Sequence, residues 1–294
     1  MNTRAESVTL GASLPTYTSS TALSLAWPSI IWIVGIHLLA FATVPFYFSW
    51  GAFYSFVILY FMTGMVGVTL GYHRLLSHRA FKTSRTVERI LATFGTLSLQ
   101  GTPIRWIGTH RIHHAFSDTF KDPHDSSRGF WFSHVGWLMV FNPIYEQGDN
   151  IKKFSRDIAK DPYMVWLSTA MGQISVNTAL GLALLFIGGV DYFVWGFLAR
   201  AVVVYHVTWS VNSLTHKFGY KNFKDATDES RNNWLVALLA FGEGWHNNHH
   251  THADVARNGL KWWEIDITYY LIRTLEFLGL AWEVKQPPRE FLKS

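Results

Sequence analysis

Nine of the 14 histidines fall in motifs whose spacing suits metal binding. The motifs are His73-Arg-Leu-Leu-Ser-His78, His110-Arg-Ile-His113-His114, Asn212-Ser-Leu-Thr-His216 and His246-Asn-Asn-His249-His250. Residues three and four positions apart share one face of a helix, with Cβ atoms about 5–6 Å apart. Two imidazoles of the second or the fourth motif can therefore reach the same ion, so the motifs predict a histidine-rich metal site.

The number and type of these side chains narrow the choice of metal. Nine neutral imidazoles exceed the needs of one ion, and two ions with four or five ligands each fit better. Calcium and magnesium prefer oxygen ligands, whereas iron, copper and zinc accept imidazole. The chain has no Cys, which excludes disulfides, thiolate ligands and cysteine catalysis. Spacing alone leaves iron, copper and zinc open.

Acidic residues close to the motifs are candidates for holding the imidazoles in place. A metal-bound histidine normally donates its other ring N–H to a carboxylate or a carbonyl. Six acidic residues lie near the motifs in sequence, namely Asp118, Asp122, Asp125, Asp228, Glu243 and Asp254.

The elements that carry these motifs are apolar. Hydrophobic residues make up 49% of the chain and charged residues only 15%. Four stretches, 27–48, 51–71, 163–187 and 192–213, are long enough to cross a bilayer. Short turns would join them in two pairs, so the sequence predicts an all-α integral membrane protein with four transmembrane helices in two hairpins. Residues 1–26 would be a polar tail, and 27–294 a single membrane-embedded domain.

The positive charges predict which side of the membrane holds the motifs. Lys and Arg concentrate in segments 72–160 and 217–294 and are absent from the turns within each hairpin. The positive-inside rule then places both termini and all four motifs in the cytoplasm. It also accounts for the net charge of +5 without nucleic acid. Stretches 87–99, 234–241 and 265–280 would form helices of a cytoplasmic cap.

Local spacing makes further predictions within the spans. His73 and His78 are five residues apart, so we expect the second span to end between them. His37, Arg200 and His206 lie inside predicted spans, where ionisable side chains normally face the helix bundle. We expect His124, His134 and His252 to support the motifs or contact lipid headgroups rather than to bind metal.

Around the motifs the sequence resembles the membrane-bound fatty acyl desaturases, specifically the Δ9 or stearoyl-type family. Bacterial and cyanobacterial acyl-lipid desaturases are the nearest members. The family pattern of HxxxxH, HxxHH, NxxxH and HxxHH is complete here, and the likeness covers roughly residues 30–285. Further family signatures are Gly71-Tyr72-His73-Arg74, Gly108-Thr109-His110-Arg111, Asp122-Pro123-His124-Asp125, Ser133-His134-Val135-Gly136-Trp137-Leu138 and Gly242-Glu243-Gly244-Trp245-His246.

The resemblance implies a non-haem centre of two iron ions, with Asn212 holding a metal-bound water. The implied ligands are His73, His78, His110, His113, His114, His216, His246, His249 and His250. The implied reaction uses O2 and two electrons to introduce a cis double bond, most often at C9, into a saturated 16- or 18-carbon acyl chain. The substrate would be an acyl-lipid or an acyl-CoA, and the electron donor a ferredoxin or a small cytochrome. The enzyme would lie among the lipids of a bacterial inner membrane or a thylakoid- or plastid-type membrane.

Candidate substrate contacts follow from the position of the first motif. Phe61, Met65, Thr69 and His73 repeat every four residues, and Met65 would lie about 12 Å along a helix from His73. We expect Met65 or Phe61 to limit the length of the acyl tail. Trp106 and Trp245, close to the histidine motifs, are further candidates for lining the acyl path.

Two other functions fit parts of this pattern. A fatty acyl hydroxylase on the same scaffold would start from the same metal and oxygen chemistry. A membrane metal transporter or sensor would use the histidines as an ion path, but transporters place polar residues near the bilayer midplane. Here the motifs lie at the ends of the spans or outside them, which favours an enzyme.

Overall fold

The computed structural model describes residues 23–147 and 149–292, so most of the predicted polar tail lies outside the described residues. The chain is mainly helical, as predicted. Its α-helices are α1 (Trp27–Thr43), α2 (Trp50–Ser77), α3 (Arg85–Leu97), α4 (Pro103–Phe116), α5 (Phe130–His134), α6 (Pro143–Glu146), α7 (Asn150–Lys153), α8 (Pro162–Leu167), α9 (Ala170–Phe193), α10 (Arg200–Ser213), α11 (Trp234–Leu239), α12 (His246–Thr251) and α13 (Ile267–Phe277).

A short π-helix, Val194–Ala199, joins α9 to α10, and 3₁₀ turns and strands complete the described structure. The 3₁₀ turns are Ser126–Arg128, Gly136–Met139, Ile158–Lys160, Leu214–His216 and Arg289–Leu292. The strands form two antiparallel pairs, β1 (Ser24–Leu25) with β3 (Val140–Phe141) and β2 (Lys82–Thr83) with β4 (Ala281–Trp282). Three of the helices, α3, α11 and α13, occupy the stretches predicted as cap helices.

Two helical runs in the described residues are long and apolar enough to cross a membrane. They are Trp50–Ser77, with 28 residues, and Ala170–His216, with 47. Helix α1 is also apolar but has only 17 residues. The predicted third span begins too early, because Asp161 caps a separate short helix, α8, before α9 begins at Ala170.

The longer run reverses direction at Gly189. This glycine has a φ of 72°, outside the helical region. A Cβ at Gly181 would lie 3.3 Å from the Phe193 ring, and a Cβ at Gly196 would lie 3.0 Å from the Leu184 side chain. Residues 181 and 193 would be about 18 Å apart on a straight helix, so the run folds back on itself as a hairpin at the predicted turn.

The second half of α2 has wide turns that explain the spacing of the first motif. Residues Phe61–Ser77 form a π-helix, in which hydrogen bonds join residues five apart. The backbone N–H of His78 donates to the carbonyl of His73 over 3.1 Å. The helix ends at Ser77, so His73 lies on the last turn and His78 just beyond it, as predicted. The five-residue spacing places both side chains on one side.

Helices α3 and α4 form a hairpin whose tip packs against α10. Arg200, which is fully buried, donates to the Leu97 carbonyl over 2.6 Å and to Thr63 over 3.3 Å. The Tyr205 hydroxyl donates to the Leu99 carbonyl over 2.8 Å. These donors satisfy carbonyls that the end of α3 leaves unpaired. Arg200 therefore faces the bundle, as predicted, and closes the end of α3.

A buried arginine joins the end of α2 to the cap. Arg74 lies 3.0 Å from Glu243 and 2.9 Å from Asp266, and it donates to the Ala256 carbonyl over 2.8 Å. The two carboxylate partners and the carbonyl offset part of the cost of burying the charge of Arg74. These contacts fix the first motif relative to α12 and α13.

Candidate metal centre

The nine predicted histidines meet in two adjacent groups. In each group the candidate ligand nitrogens all lie within 4.8 Å of one another. Group one contains five residues and group two contains four; the members are His73, His78, His110, His114 and His249 in group one, and His113, His216, His246 and His250 in group two.

Neighbouring histidines in two motifs divide between the groups. On α4, His114 belongs to group one and His113 to group two, and on α12 His249 and His250 divide in the same way. Successive residues on a helix point about 100° apart, so each His-His pair reaches in two directions. The rings of His114 and His250 stack with centroids 4.4 Å apart. Helices α4 and α12 thus hold the two groups side by side.

The third motif completes group two from the C-terminal end of α10. A 3₁₀ turn, Leu214–His216, follows α10 and brings His216 next to His246, with ring centroids 5.0 Å apart. Asn212 lies four residues earlier on α10 and is half-buried.

Four of the six predicted carboxylates contact the Nδ1 atoms of histidines in the two groups. The Nδ1 atoms of four histidines contact carboxylate oxygens at 2.7–3.0 Å, in the pairs His73–Glu243, His113–Asp122, His216–Asp118 and His250–Asp228. The other two candidates lie elsewhere, because Asp125 accepts from the Ser127 backbone and Asp254 pairs with Lys285. In the His113, His216 and His250 pairs the carboxylate accepts a hydrogen bond, so Nδ1 carries the proton and Nε2 of the neutral ring is bare.

The bare nitrogens point at one another. The Nε2 atoms of His113 and His250 are 3.2 Å apart although the Nδ1 atom of each donates to a carboxylate. In group one the His73 and His249 Nε2 atoms are 3.0 Å apart. Two bare lone pairs, as on His113 and His250, repel each other at this distance unless a cation lies between them. The residues present therefore fit metal ions.

Further nitrogens at the centre are buried without partners. Nε2 of His216 and both ring nitrogens of His246 accept and donate no hydrogen bond. Buried polar atoms in proteins are nearly always satisfied. Coordination to an ion would satisfy one nitrogen on each ring.

Burial also keeps many of these rings in the form that binds metal. Loss of solvent, followed by the proximity of other imidazoles, lowers the pKa of six histidines well below the usual range: His78, His110, His113, His114, His246 and His249. Neutral imidazole is the form that binds a metal ion.

Three of the four supporting carboxylates are held in the charged form, whereas burial raises the pKa of the fourth, Asp122. Burial opposes the ionisation of Asp118, but hydrogen bonding and charge from His216 lower its pKa below the usual range. Burial likewise opposes the ionisation of Asp228, and His250 lowers its pKa. The pKa of Glu243 is lowered against burial, chiefly by Arg74. These carboxylates would offset part of the charge of bound ions.

The five predicted substrate contacts lie at different distances from the two groups. The Trp106 ring stacks on His110 with centroids 5.2 Å apart. Trp245, next to the fourth motif, is buried and donates to the Ile265 carbonyl over 2.9 Å. Both tryptophans thus border the metal centre, and their contact with substrate stays a prediction.

The other three predicted contacts lie along α2. The Phe61 ring packs on Phe241 with centroids 5.1 Å apart, and the Thr69 hydroxyl lies 2.8 Å from that of Thr268. Met65 lies between them and is half-buried. Because π turns align residues five apart, the predicted four-residue stripe drifts around the helix. A role for these residues in substrate binding also stays a prediction.

Sequence reasoning missed a buried polar network behind the fourth motif. Asn248 donates to Glu264 over 2.8 Å and accepts from Asn232 over 2.9 Å. The Asn247 side chain accepts from the Phe223 backbone over 2.8 Å. The two asparagines had no predicted role, although polar residues inside a metal-binding motif were a signal for such support. The network orients α12 and therefore three histidines.

Comparison with known proteins gives a consistent result. The family model for fatty acid desaturases matches residues 48–282. An sn-1 stearoyl-lipid 9-desaturase of Anabaena variabilis is 49% identical over 92% of this chain and 97% of its own length. An sn-2 palmitoyl-lipid 9-desaturase of Nostoc sp. (strain 36) is 42% identical over 90% and 92%. An acyl-CoA 5-desaturase of Anemone leveillei is 44% identical over 88% and 79%.

Proposed function

The chain belongs to the fatty acid desaturase family, and on this basis we propose that it introduces a cis double bond at C9 of a saturated 16- or 18-carbon acyl chain. Among the relatives named above, both 9-desaturases act on lipid-bound acyl groups, whereas the acyl-CoA enzyme is a 5-desaturase. We therefore propose a membrane acyl-lipid as the substrate, rather than an acyl-CoA.

We propose that each histidine group binds one iron ion, and that Asn212 holds a metal-bound water near group two. The facing lone pairs of His113 and His250 are the observation that carries this proposal. Iron would supply, from O2 and two electrons, the oxidising power needed to remove hydrogen from unactivated methylenes. A ferredoxin or a small cytochrome is the proposed electron donor.

The protein's own contribution is position and exclusion of water. A saturated chain offers no charge or hydrogen bond near the reacting carbons, so its depth in the site must select the carbon. We propose that Trp106 and Trp245 flank the reacting segment. Phe61, Met65 and Thr69 would border the tail beyond it.

We propose that the chain crosses the membrane four times, with both termini and the metal centre in the cytoplasm. With the fold-back at Gly189, the run Ala170–His216 would cross twice. Helices α1 and α2 would supply the other two. The absence of Lys and Arg from the turns within each hairpin sets the orientation. A bacterial inner membrane or a thylakoid-type membrane would hold this arrangement.

Expression in a host without its own desaturase tests the function. Fatty acids released from each lipid class would be separated by gas chromatography, and the double bond located by mass spectrometry. We expect 9-monoenes in membrane lipids, and none from His114→Ala present in the membrane at the same level. A hydroxy fatty acid without a monoene would point to a hydroxylase, and metal uptake without any lipid change would point to a transporter.

A further inference from the structure

Two histidines outside the metal centre face each other in the same way as the proposed ligands. His37 lies on α1 and His206 on α10, and their Nε2 atoms are 3.1 Å apart. This distance matches the separations of 3.0 Å and 3.2 Å between facing Nε2 atoms in the two groups. Whether a hydrogen lies between the two atoms can be derived from the hydrogen bonds on either side.

The tautomer of His37 is fixed by its own helix. Its Nδ1 atom lies 2.6 Å from the carbonyl oxygen of Ile33, one turn earlier on α1. A carbonyl oxygen only accepts hydrogen bonds, so the proton of the neutral ring is on Nδ1. The Nε2 atom of His37 is therefore a bare lone pair.

The tautomer of His206 is fixed by a series of three hydrogen bonds that begins at the Ser213 hydroxyl. The Ser213 hydroxyl donates its single hydrogen to the Trp209 carbonyl over 2.9 Å. Nδ1 of His134, 2.9 Å from the same hydroxyl, must therefore be a donor, and its Nε2 an acceptor. Nδ1 of His206, 3.0 Å from that acceptor, then carries the proton. The Nε2 atom of His206 is bare as well.

The hydrogen bonds on both sides thus leave the Nε2 lone pairs of His37 and His206 facing each other. When both rings are neutral, no hydrogen lies between these two atoms. From this we propose that His37 and His206 bind a metal ion through their Nε2 atoms, as an accessory site that links α1 to α10. With nitrogen–metal distances of about 2.0–2.1 Å, the observed separation gives an angle near 100° at the ion. That angle suits tetrahedral or octahedral zinc or iron rather than a linear site.

The surroundings define what kind of site this is. A cavity of about 260 Å³ borders His37, His134 and His206, which leaves room for water or another small ligand on the ion. The packed neighbours are aromatic, with the Trp209 ring stacked 6.2 Å from the His37 ring and the Tyr205 ring 6.5 Å from it. In the described part of the chain no carboxylate contacts the three rings.

Two ligands without a nearby negative charge make a weaker site than either central group. Ions at the accessory site should therefore exchange readily, while ions in the centre stay bound. Since the ligands come from different helices, occupancy should stabilise the packing of α1 against α10. This proposal does not depend on the enzyme's substrate or on its activity.

Counting ions tests the proposal on the full chain in lipid nanodiscs. Zinc bound per chain would be measured by equilibrium dialysis and elemental analysis, with unfolding temperature followed in parallel. We expect one exchangeable zinc ion in addition to the two ions of the centre for the wild type, and only the two central ions for His37→Leu and His206→Leu. Zinc at the higher concentrations should raise the unfolding temperature of the wild type but not of these variants.

A matched control and a spectroscopic measurement complete the test. Ser210→Ala, which removes a hydroxyl bonded to the His206 carbonyl on the same helix, should keep the third ion. In ¹⁵N-histidine spectra, zinc should shift the Nε2 signals of His37 and His206 while both Nδ1 atoms stay protonated. Two ions in the wild type, or a proton shared between the two Nε2 atoms at saturating zinc, would overturn the proposal. Because the spectra use the wild type, a variant that fails to fold does not prevent a decision.

Discussion

The central histidine groups and the outer pair share one geometry but differ in what lies behind the rings. At the centre, Nδ1 of His113 and Nδ1 of His250 donate to Asp122 and Asp228. In the outer pair, Nδ1 of His37 donates to a backbone carbonyl and Nδ1 of His206 to another imidazole. Negative partners offset the charge of an ion and raise the basicity of the ring, and neutral partners do so less. Facing imidazoles therefore indicate a metal site, and the partners behind them set its strength.

The two regions also differ in how the sequence reveals them. The central ligands come from compact motifs on α2, α4, α10 and α12, where spacing alone predicts a shared ion. His37 and His206 are 169 positions apart, and each is an isolated histidine in an apolar helix. Only the fold brings them together.

Removal of a central ligand should have the largest effect. We expect His249→Ala to lose the ion of group one and all detectable monoene, because this ring faces both His73 and His114. Thr251→Ala, on the exposed side of the same helix, should retain both. Metal content of the purified protein and fatty acid analysis of the membranes check this. Full metal content in His249→Ala would contradict the assignment of group one.

Removal of a charge behind a ring should have the next largest effect. Asp228→Asn keeps the size of the side chain but takes away the negative partner of His250. We expect metal affinity and activity to fall about 10–100-fold. Asp225→Asn, at an exposed position three residues away, is the control and should change neither. Equal affinities for the two variants would mean that the charge behind the imidazole does not set the strength of the site.

A change along α2, away from both histidine regions, should alter the product and leave the metal in place. Met65→Trp adds bulk where we expect the acyl tail to end, and should raise the ratio of 16- to 18-carbon monoenes about 10-fold or more. Ile58→Trp, at a position 61% exposed on the same helix, is the control. An unchanged chain-length preference with full metal content would remove Met65 from the acyl path.

A carboxylate that faces an arginine should matter only for stability. Burial opposes the ionisation of Asp157, but Arg111 and Arg79 outweigh it and lower its pKa from 3.8 to about 2. A lowered pKa stabilises the folded state at pH values above the ordinary pKa of the group. This stabilisation is lost as the pH falls toward the lowered pKa. We expect Asp157→Asn to unfold about 1–3 °C lower near neutral pH, with the difference shrinking toward about pH 3.

The metal content of Asp157→Asn should equal that of the wild type. Thermal unfolding at several pH values, with elemental analysis of the same samples, checks both expectations. A loss of metal would show that carboxylates need not face an imidazole to support the centre.

Much of the metal centre could be predicted because its information is local. Motif spacing identified all nine histidines of the two groups, and proximity in sequence identified four supporting carboxylates. The division of His113 and His114 between two groups depends on the direction of α4 relative to α12, which no local pattern contains. The π turns of α2 were also missed, because the spacing of His73 and His78 had been compared with an α-helix alone.

Contacts between segments that are distant in sequence account for most of the features that could not be predicted. The partners of Asp125 and Asp254 are set by loop geometry rather than by nearness to a motif. Arg200 was expected to face the bundle, but its partner, the end of α3, is 103 positions away. The apolar stretch 163–187 begins before the helix that it predicts. The helix cap at Asp161 and the break before Ala170 leave the hydrophobicity of the stretch unchanged, so hydrophobicity alone could not reveal them.

The contact between Arg200 and the end of α3 has a consequence for biogenesis. Arg200 has no acidic partner among the described residues, so in the proposed topology its guanidinium would enter the bilayer at a cost of about 2.5–3.5 kcal/mol on insertion scales. The α3–α4 tip supplies the carbonyls that compensate for it, and α4 carries the second histidine motif. A newly inserted chain therefore gains stability in its last helical hairpin only when the segment that carries this motif docks, which couples completion of the membrane bundle to assembly of the metal centre.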